Sequence, residues 1–205
     1  MFPIGSVLLP ASVLPLHVFE PRYQALVKDC IASDLHEFGV VLIERGNEVG
    51  GGDVRRGVGT IARMVQVGEM DDGHFAVIAV GLGRLRVNAW LPDDPYPTAD
   101  IDEWPDDVGS ADESEAVADL LRSVTQRTRR AAALALQLGD GGDDPAGDLA
   151  DDLLTASYQL VSLAPIGPAD AYDLMCAHGP TDRLRALDEL LVDVEAAQAF
   201  RLQPP

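Results

Sequence analysis

The sequence predicts an α+β fold, in which a small, mostly β domain with one early helix closes into a barrel and a C-terminal α-helical bundle follows. Three observations point there. Short apolar runs rich in β-branched residues, punctuated by glycine and proline, fill the first half. Within that half only the stretch beginning at Pro21 has helical spacing. After Trp104-Pro105-Asp106-Asp107 the composition turns to alanine, leucine, aspartate and arginine, which divides the chain into domains 1–107 and 108–205.

Residues 7–9 and 14–19 read as short extended segments, because Pro10 and Pro15 bias their predecessors away from helix. Pro21 suits a first helical position. Tyr23, Leu26, Val27, Cys30 and Ile31 then recur at the spacing of a buried helical face, so a helix runs to about Ser33. The β-branched run 38–43 reads as a buried strand, and glycines 46, 50, 51 and 52 read as a loop. Segments 58–67 and 75–80 flank Asp71-Asp72-Gly73, a hairpin signal. Gly81-Leu82-Gly83 marks the next boundary. Leu85, Val87 and Ala89 alternate with Arg84, Arg86 and Asn88, as in a half-buried strand with a partly basic outer face. After the turn Pro92-Asp93-Asp94-Pro95, residues 96–101 supply one more strand.

In the second half, Ser110 with Glu113 has the spacing of a capping box for a helix that reaches about Leu138. Residues 139–148, with four glycines, four aspartates and one proline, read as an acidic loop. Further helices are expected over 149–163, from about Pro168, and after Thr181, the last with Leu184, Leu187, Leu191 and Val194 on one stripe. No repeat of 20 to 50 residues suggests a solenoid.

A chain of 205 residues with 47% hydrophobic content is long enough to bury a real core. Its formal charge of -19 repels phosphate backbones and anionic membranes, which disfavours nucleic acid as a partner. Residues 1–100 hold 13 acids and 8 bases, and 101–205 hold 21 and 7. Two widely separated cysteines suggest neither a disulfide scaffold nor a thiolate site, which fits a reducing compartment. The apolar N-terminus is broken by Pro3, Pro10 and Pro15 and has no basic segment, unlike a signal peptide or a spanning helix. The expectation is a cytoplasmic protein without membrane attachment.

No residue cluster specifies a reaction. A serine-lysine mechanism needs a lysine of lowered pKa, and Lys28, the single lysine, falls opposite the apolar stripe of its helix. Gly50-Gly51-Gly52-Asp53 lacks the lysine and hydroxyl of a phosphate loop, and Gly81-Leu82-Gly83 precedes a strand, unlike a dinucleotide fingerprint. His17, His36, His74 and His178 lack metal-ligand spacing, and the doublets Asp93-Asp94, Asp143-Asp144 and Asp151-Asp152 lack that of a calcium loop. No metal and no cofactor are expected.

The run Leu14-Pro15-Leu16-His17-Val18-Phe19-Glu20-Pro21-Arg22-Tyr23 is the most specific feature of the chain. Pro15, Leu16, Glu20 and Pro21 read as a strand-to-helix corner, with Glu20 placed for the helix dipole. Phe19 and Tyr23 offer apolar surface with Arg22 as an anchor, a combination typical of interfaces. Arg84 and Arg86, near Arg55, Arg56 and Arg63, form a basic stripe that either meets acidic peptide groups or pairs with the chain's own aspartates.

Together with Leu8-Leu9-Pro10, Phe38-Gly39-Val40, Val58-Gly59-Thr60 and Gly81-Leu82-Gly83-Arg84-Leu85-Arg86, this run resembles the Lon N-terminal domain family, the substrate-recognition domain of ATP-dependent Lon proteases, which also occurs as a stand-alone bacterial protein. The resemblance covers nearly the whole chain and implies a PUA-like pseudo-barrel followed by a helical bundle. In full Lon enzymes an ATPase module and a protease domain with a serine-lysine dyad follow, and the chain departs from them there. The resemblance thus implies a non-catalytic polypeptide-recognition or adaptor protein, with exposed polypeptide segments or a partner protein as ligand. Its peptide-binding candidates are Phe19, Arg22, Tyr23, Arg84 and Arg86. The alternatives are an RNA-binding PUA-like protein and an ATP-independent peptidase, a label that could be inherited from the full-length family.

Overall fold

The computed structural model describes residues 1–109 and 114–202, and the chain divides into two compact units, Met1–Pro105 and Asp106–Pro205. In the first unit the order is β1 (Phe2–Ile4), β2 (Val13–Val18), α1 (Pro21–Ala32), β3 (Glu37–Arg45), β4 (Val54–Glu69), β5 (Phe75–Trp90) and β6 (Ala99–Glu103). The strands form one mixed half-barrel sheet in the order β1-β3-β4-β5-β2, and β6 also pairs with β5. β1 joins β3 in parallel; the other pairings are antiparallel.

The sheet is open where sequence reasoning expected a closed barrel, since β1 and β2 end its path. Each of these strands carries a proline, Pro3 or Pro15, that cannot donate a ladder hydrogen bond. The expected strand at 7–9 is absent and β1 lies earlier. Leu8 and Leu9 are nevertheless buried, and the Leu8 carbonyl accepts a hydrogen bond from Thr60 Oγ1 at 2.5 Å. The two strands expected around Gly81-Leu82-Gly83 are one, β5. There Gly83 faces Ile61 and Gly81 faces Ala62, so Leu82 is the extra residue of a bulge that bends the strand without ending it. Gly59 is required by close packing, because a Cβ there would collide with the Val40 carbonyl of β3.

α1 starts with Pro21 at its first turn and ends at Ser33, whose N–H donates to the carbonyls of Asp29 and Cys30. It buries Tyr23, Leu26, Val27 and Cys30 in a core shared with Val18, Phe38, Val40, Met64, Phe75 and Val77. Ile31, expected on the same stripe, is 47% exposed at the stripe's end.

The second unit holds α2 (Glu115–Leu138), α3 (Leu153–Leu163), α4 (Pro168–Met175) and α5 (Pro180–Arg201). The expected capping pair Ser110 and Glu113 lies outside the described residues. Ser114 is the N-cap of α2, accepting from the Val117 N–H at 3.3 Å, and Asp152 caps α3 by accepting from the Thr155 N–H at 2.8 Å. The small side chains of Ala131, Ala132 and Ala135 line the buried face of α2, which packs against α5 and α3. Leu184, Leu187 and Leu191 of α5 are fully buried, and each such side chain contributes about 1.5–3 kcal/mol. Arg127 of α2 pairs with Asp188 and Glu195 of α5. No helix among the described residues is long and apolar enough to cross a membrane.

Candidate functional site

The β2-to-α1 corner builds a cavity of about 190 Å³ in the first unit. β2 alternates outward Val13, Pro15 and His17 with Leu14, Leu16 and Val18, as the pleat of a strand requires. Pro21 then fixes the turn into the helix, so that Tyr23 swings under the sheet. Phe2 and Ile4 of β1, Leu16 and Val18 of β2, and Phe19 and Tyr23 of the corner line the cavity. Both edge strands of the open sheet therefore border it.

Tyr23 is 3% exposed, its ring stacked on Phe2 at 4.3 Å with the Arg22 guanidinium 4.4 Å from its centroid. Burial pushes its phenol up to about 12. Its hydroxyl is buried and has no hydrogen-bond partner among the described residues. A buried polar atom left in this state costs about 1–3 kcal/mol. A larger depression of about 460 Å³, between Val117, His178 and Arg185 of the second unit, is lined by no such atom among the described residues.

Glu20 and Arg22 form an ion pair at 3.2 Å and hold the glycine-rich loop. Glu20 Oε2 accepts from the Gly50 N–H at 3.3 Å, and Arg22 Nη2 donates to the Glu48 carbonyl at 3.4 Å. Gly51 has φ +78° and lies against the Arg22 guanidinium, which leaves no comfortable place for a side chain. Glu48 and Val49 from this loop also line the cavity, a contribution that glycine punctuation alone does not disclose. Glu20 is the N-cap residue of α1 without a side-chain capping bond, so its carboxylate serves the loop.

Phe19 is 44% exposed and belongs to a ring cluster: His17 lies 6.0 Å from it, His74 6.3 Å, and the two imidazoles 5.3 Å apart. The spacing of these histidines in sequence gives no sign of the cluster. The pairing of Val18 with Phe75 brings them together, and only the β2–β5 register carries that signal. His36 Nδ1 instead contacts the Cys30 carbonyl at 2.9 Å, and no group of three or more histidine, cysteine, aspartate or glutamate side chains among the described residues could hold a metal ion.

The basic stripe is differently arranged from its sequence pattern. Arg84, expected to point outward, is 2% exposed and donates to the carbonyls of Trp104 and Pro105, each at 3.2 Å. The Trp104 ring draws both guanidiniums, Arg84 at 4.2 Å and the exposed Arg86 at 4.4 Å, which overrides strict alternation. Arg55 pairs with Asp53 and Asp93, Arg56 with Glu44 and Arg63 with Glu37. Lys28 is solvent-exposed, 5.9 Å from the centroid of the Phe75 ring.

Comparison with known proteins adds to this geometry. A family model described as the ATP-dependent protease La (LON) substrate-binding domain matches residues 1–193. "Lon protease 2" of Myxococcus xanthus is 33% identical over 163 residues, which is 76% of this chain and 19% of that protein. "Lon protease 2" of Sorangium cellulosum is 34% identical over 124 residues, 60% of this chain and 15% of that protein. The chain thus spans less than a fifth of the length of these two curated relatives. Among solved structures, the Lon N-terminal domain protein from Xanthomonas campestris superposes with a TM-score of 0.64 at 28% identity, covering 93% of this chain and 95% of that one. The N-terminal domain of a Mycobacterium avium complex Lon protease, at TM-score 0.59 and 19% identity over 93% and 96% of the two chains, shares the fold.

Proposed function

Since the chain belongs to the ATP-dependent protease La (LON) substrate-binding domain family, we propose that it is a non-catalytic, cytoplasmic polypeptide-recognition protein that captures exposed segments at the β2-to-α1 corner. The observation that carries this reading is the cavity between the two sheet edges, where apolar Leu16, Val18 and Phe19 stand beside His17, Glu20 and Glu48, and which Tyr23, its hydroxyl buried and unpartnered among the described residues, helps to line. In this reading the half-barrel is the PUA-like barrel of the family, domain 1–107 is the recognition domain, and 108–205 is the helical bundle. An adaptor role, delivering captured segments to a partner protein, follows the same chemistry.

Phe19 and Tyr23 supply the apolar contact in this proposal, as aromatic residues do at interface centres. Arg22 anchors indirectly by holding Glu20 and the loop at Glu48. Arg84 and Arg86 are assigned to support of Trp104, with the exposed Arg86 as a secondary contact.

The test is binding of the purified chain to fluorescein-labelled, permanently unfolded casein, read by anisotropy against a folded protein of similar size. Saturable binding to the unfolded probe that Phe19→Ala weakens supports the proposal. Absence of saturable binding at both low and physiological salt overturns it.

A further inference from the structure

We infer that the occupant of this site is an extended, apolar and basic polypeptide segment that docks as an added β-strand on the free edge of β2. The inference rests on the polypeptide-recognition reading above and specifies its ligand and its mode.

The free edge follows from register and from proline. β2 pairs with β5 through Leu14 opposite Ala79, Pro15 opposite Ile78 and Leu16 opposite Val77, and it ends the sheet path. In an antiparallel ladder alternate residues turn both N–H and C=O toward the partner. Pro15 has no N–H and so belongs to the other set, with Val13 and His17. The Ser12 carbonyl, accepting from the Gly81 N–H at 3.0 Å, has the parity that this assignment requires. Val13, Pro15 and His17 therefore direct three carbonyls and two N–H groups to the open edge. Strand addition uses such groups for affinity without reading sequence, as recognition of unfolded segments demands.

The cavity and the charge select the occupant. An incoming strand alternates its side chains, so one set faces the cavity, whose lining combines apolar Ile4, Leu16, Val18 and Phe19 with His17, Glu20 and Glu48, and apolar side chains in that set suit the first group. About 190 Å³ holds an apolar side chain or two and no folded element. The other set of side chains meets the field of a chain of net charge -19, whose first 100 residues carry 13 acids against 8 bases, which favours lysine and arginine.

The experiment measures anisotropy of a fluorescein-labelled ten-residue peptide, alternating lysine with valine or leucine and kept monomeric, against the full chain. Two forms of the peptide are N-methylated, one at the odd and one at the even positions, which removes strand hydrogen bonds from one edge at a time without altering charge. A third form replaces lysine by glutamate. One methylated form is expected to bind at least tenfold more weakly than the parent and the other nearly as well, and the acidic form at least tenfold more weakly. His17→Pro, which removes one edge N–H, is expected to lose at least fivefold relative to His17→Ala. Should His17→Pro fail to fold, the methylated pair still decides. Equal binding of parent and both methylated forms overturns strand addition and leaves polypeptide recognition standing. Failure of every peptide and of unfolded casein overturns recognition itself. Self-association through β2, seen by sedimentation and abolished by His17→Pro, identifies a second copy as the occupant and also overturns the inference.

Discussion

Replacing Tyr23 by phenylalanine should stabilise the first unit and weaken its binding. The substitution removes one oxygen atom and keeps the ring, so the stack on Phe2 at 4.3 Å and the contact with Arg22 at 4.4 Å persist. What disappears is a buried hydroxyl without a partner, whose burial costs about 1–3 kcal/mol. Taking about 1 kcal/mol and a urea slope of about 2 kcal/mol per molar, the midpoint rises by about 0.5 M. Both tryptophans, Trp90 and Trp104, lie in the first unit, so tryptophan fluorescence during urea unfolding follows that unit. If the hydroxyl meets the ligand, peptide affinity falls by the worth of one hydrogen bond, about 0.5–1.5 kcal/mol, or about 2- to 12-fold. Higher stability with lower affinity is the signature of a group kept for function at the expense of stability. A lowered midpoint would show that the hydroxyl is satisfied in the free protein, and the reasoning would fail.

Two further predictions concern charges. Asp106→Ala leaves the fully buried Arg183 without its carboxylate, although Arg183 keeps the Leu174 carbonyl at 3.1 Å and Ser157 Oγ at 2.9 Å; helical circular dichroism during denaturation should record a loss of about 3–5 kcal/mol, partly recovered in Asp106→Ala with Arg183→Met. A loss under about 1 kcal/mol would contradict it. The hydrogen bond from Arg55 holds the Asp93 carboxyl below its ordinary value of about 3.9, so its stabilising contribution is present above about pH 4 and is lost as pH falls through the lowered value. A carbon-detected NMR titration should find Asp93 returned to the ordinary range in Arg55→Met; an unchanged titration would show that the pair, 39% exposed at Asp93, carries no such interaction.

Local signals located most elements because local chemistry decides them. Pro21 at the first turn of α1, the spacing of Tyr23, Leu26, Val27 and Cys30, and Gly139 in the left-handed conformation at the end of α2 are readable from a few neighbouring residues. β1 was hidden because its place is set by a parallel partner: Phe2 and Ile4 meet Val40 and Leu42 across almost forty positions of sequence. The same limit explains the misplaced orientation of Arg84, whose burial depends on Trp104 folding onto β5, and the unrecognised burial of Arg183, whose Asp106 partner is 77 residues away. At the corner, the proximity of Phe19, Arg22 and Tyr23 is legible because they are neighbours in sequence. The contributions of Phe2, His74, Glu48 and Val49 depend on register and loop closure and are not legible that way.

In the proposed reading the corner divides its residues between building and binding, and the open sheet edge fits that division. Glu20 and Arg22 look exposed and charged in sequence, yet they are spent on the loop at 46–52, and without them Glu48 and Val49 would not stand at the cavity. An open sheet edge is ordinarily an aggregation hazard, and proline on an edge strand lowers it by removing donors. Pro3 and Pro15 sit on the two strands that would have to meet to complete a barrel. Pro15 withdraws one donor from the edge of β2 and leaves its carbonyl available. Such an edge pairs poorly with itself or with β1, but an incoming segment that brings its own N–H groups and an apolar side chain for the cavity can satisfy it. In the proposed reading, Pro3 and Pro15 on the two end strands favour a mobile, extended chain over another folded sheet as the occupant of the corner.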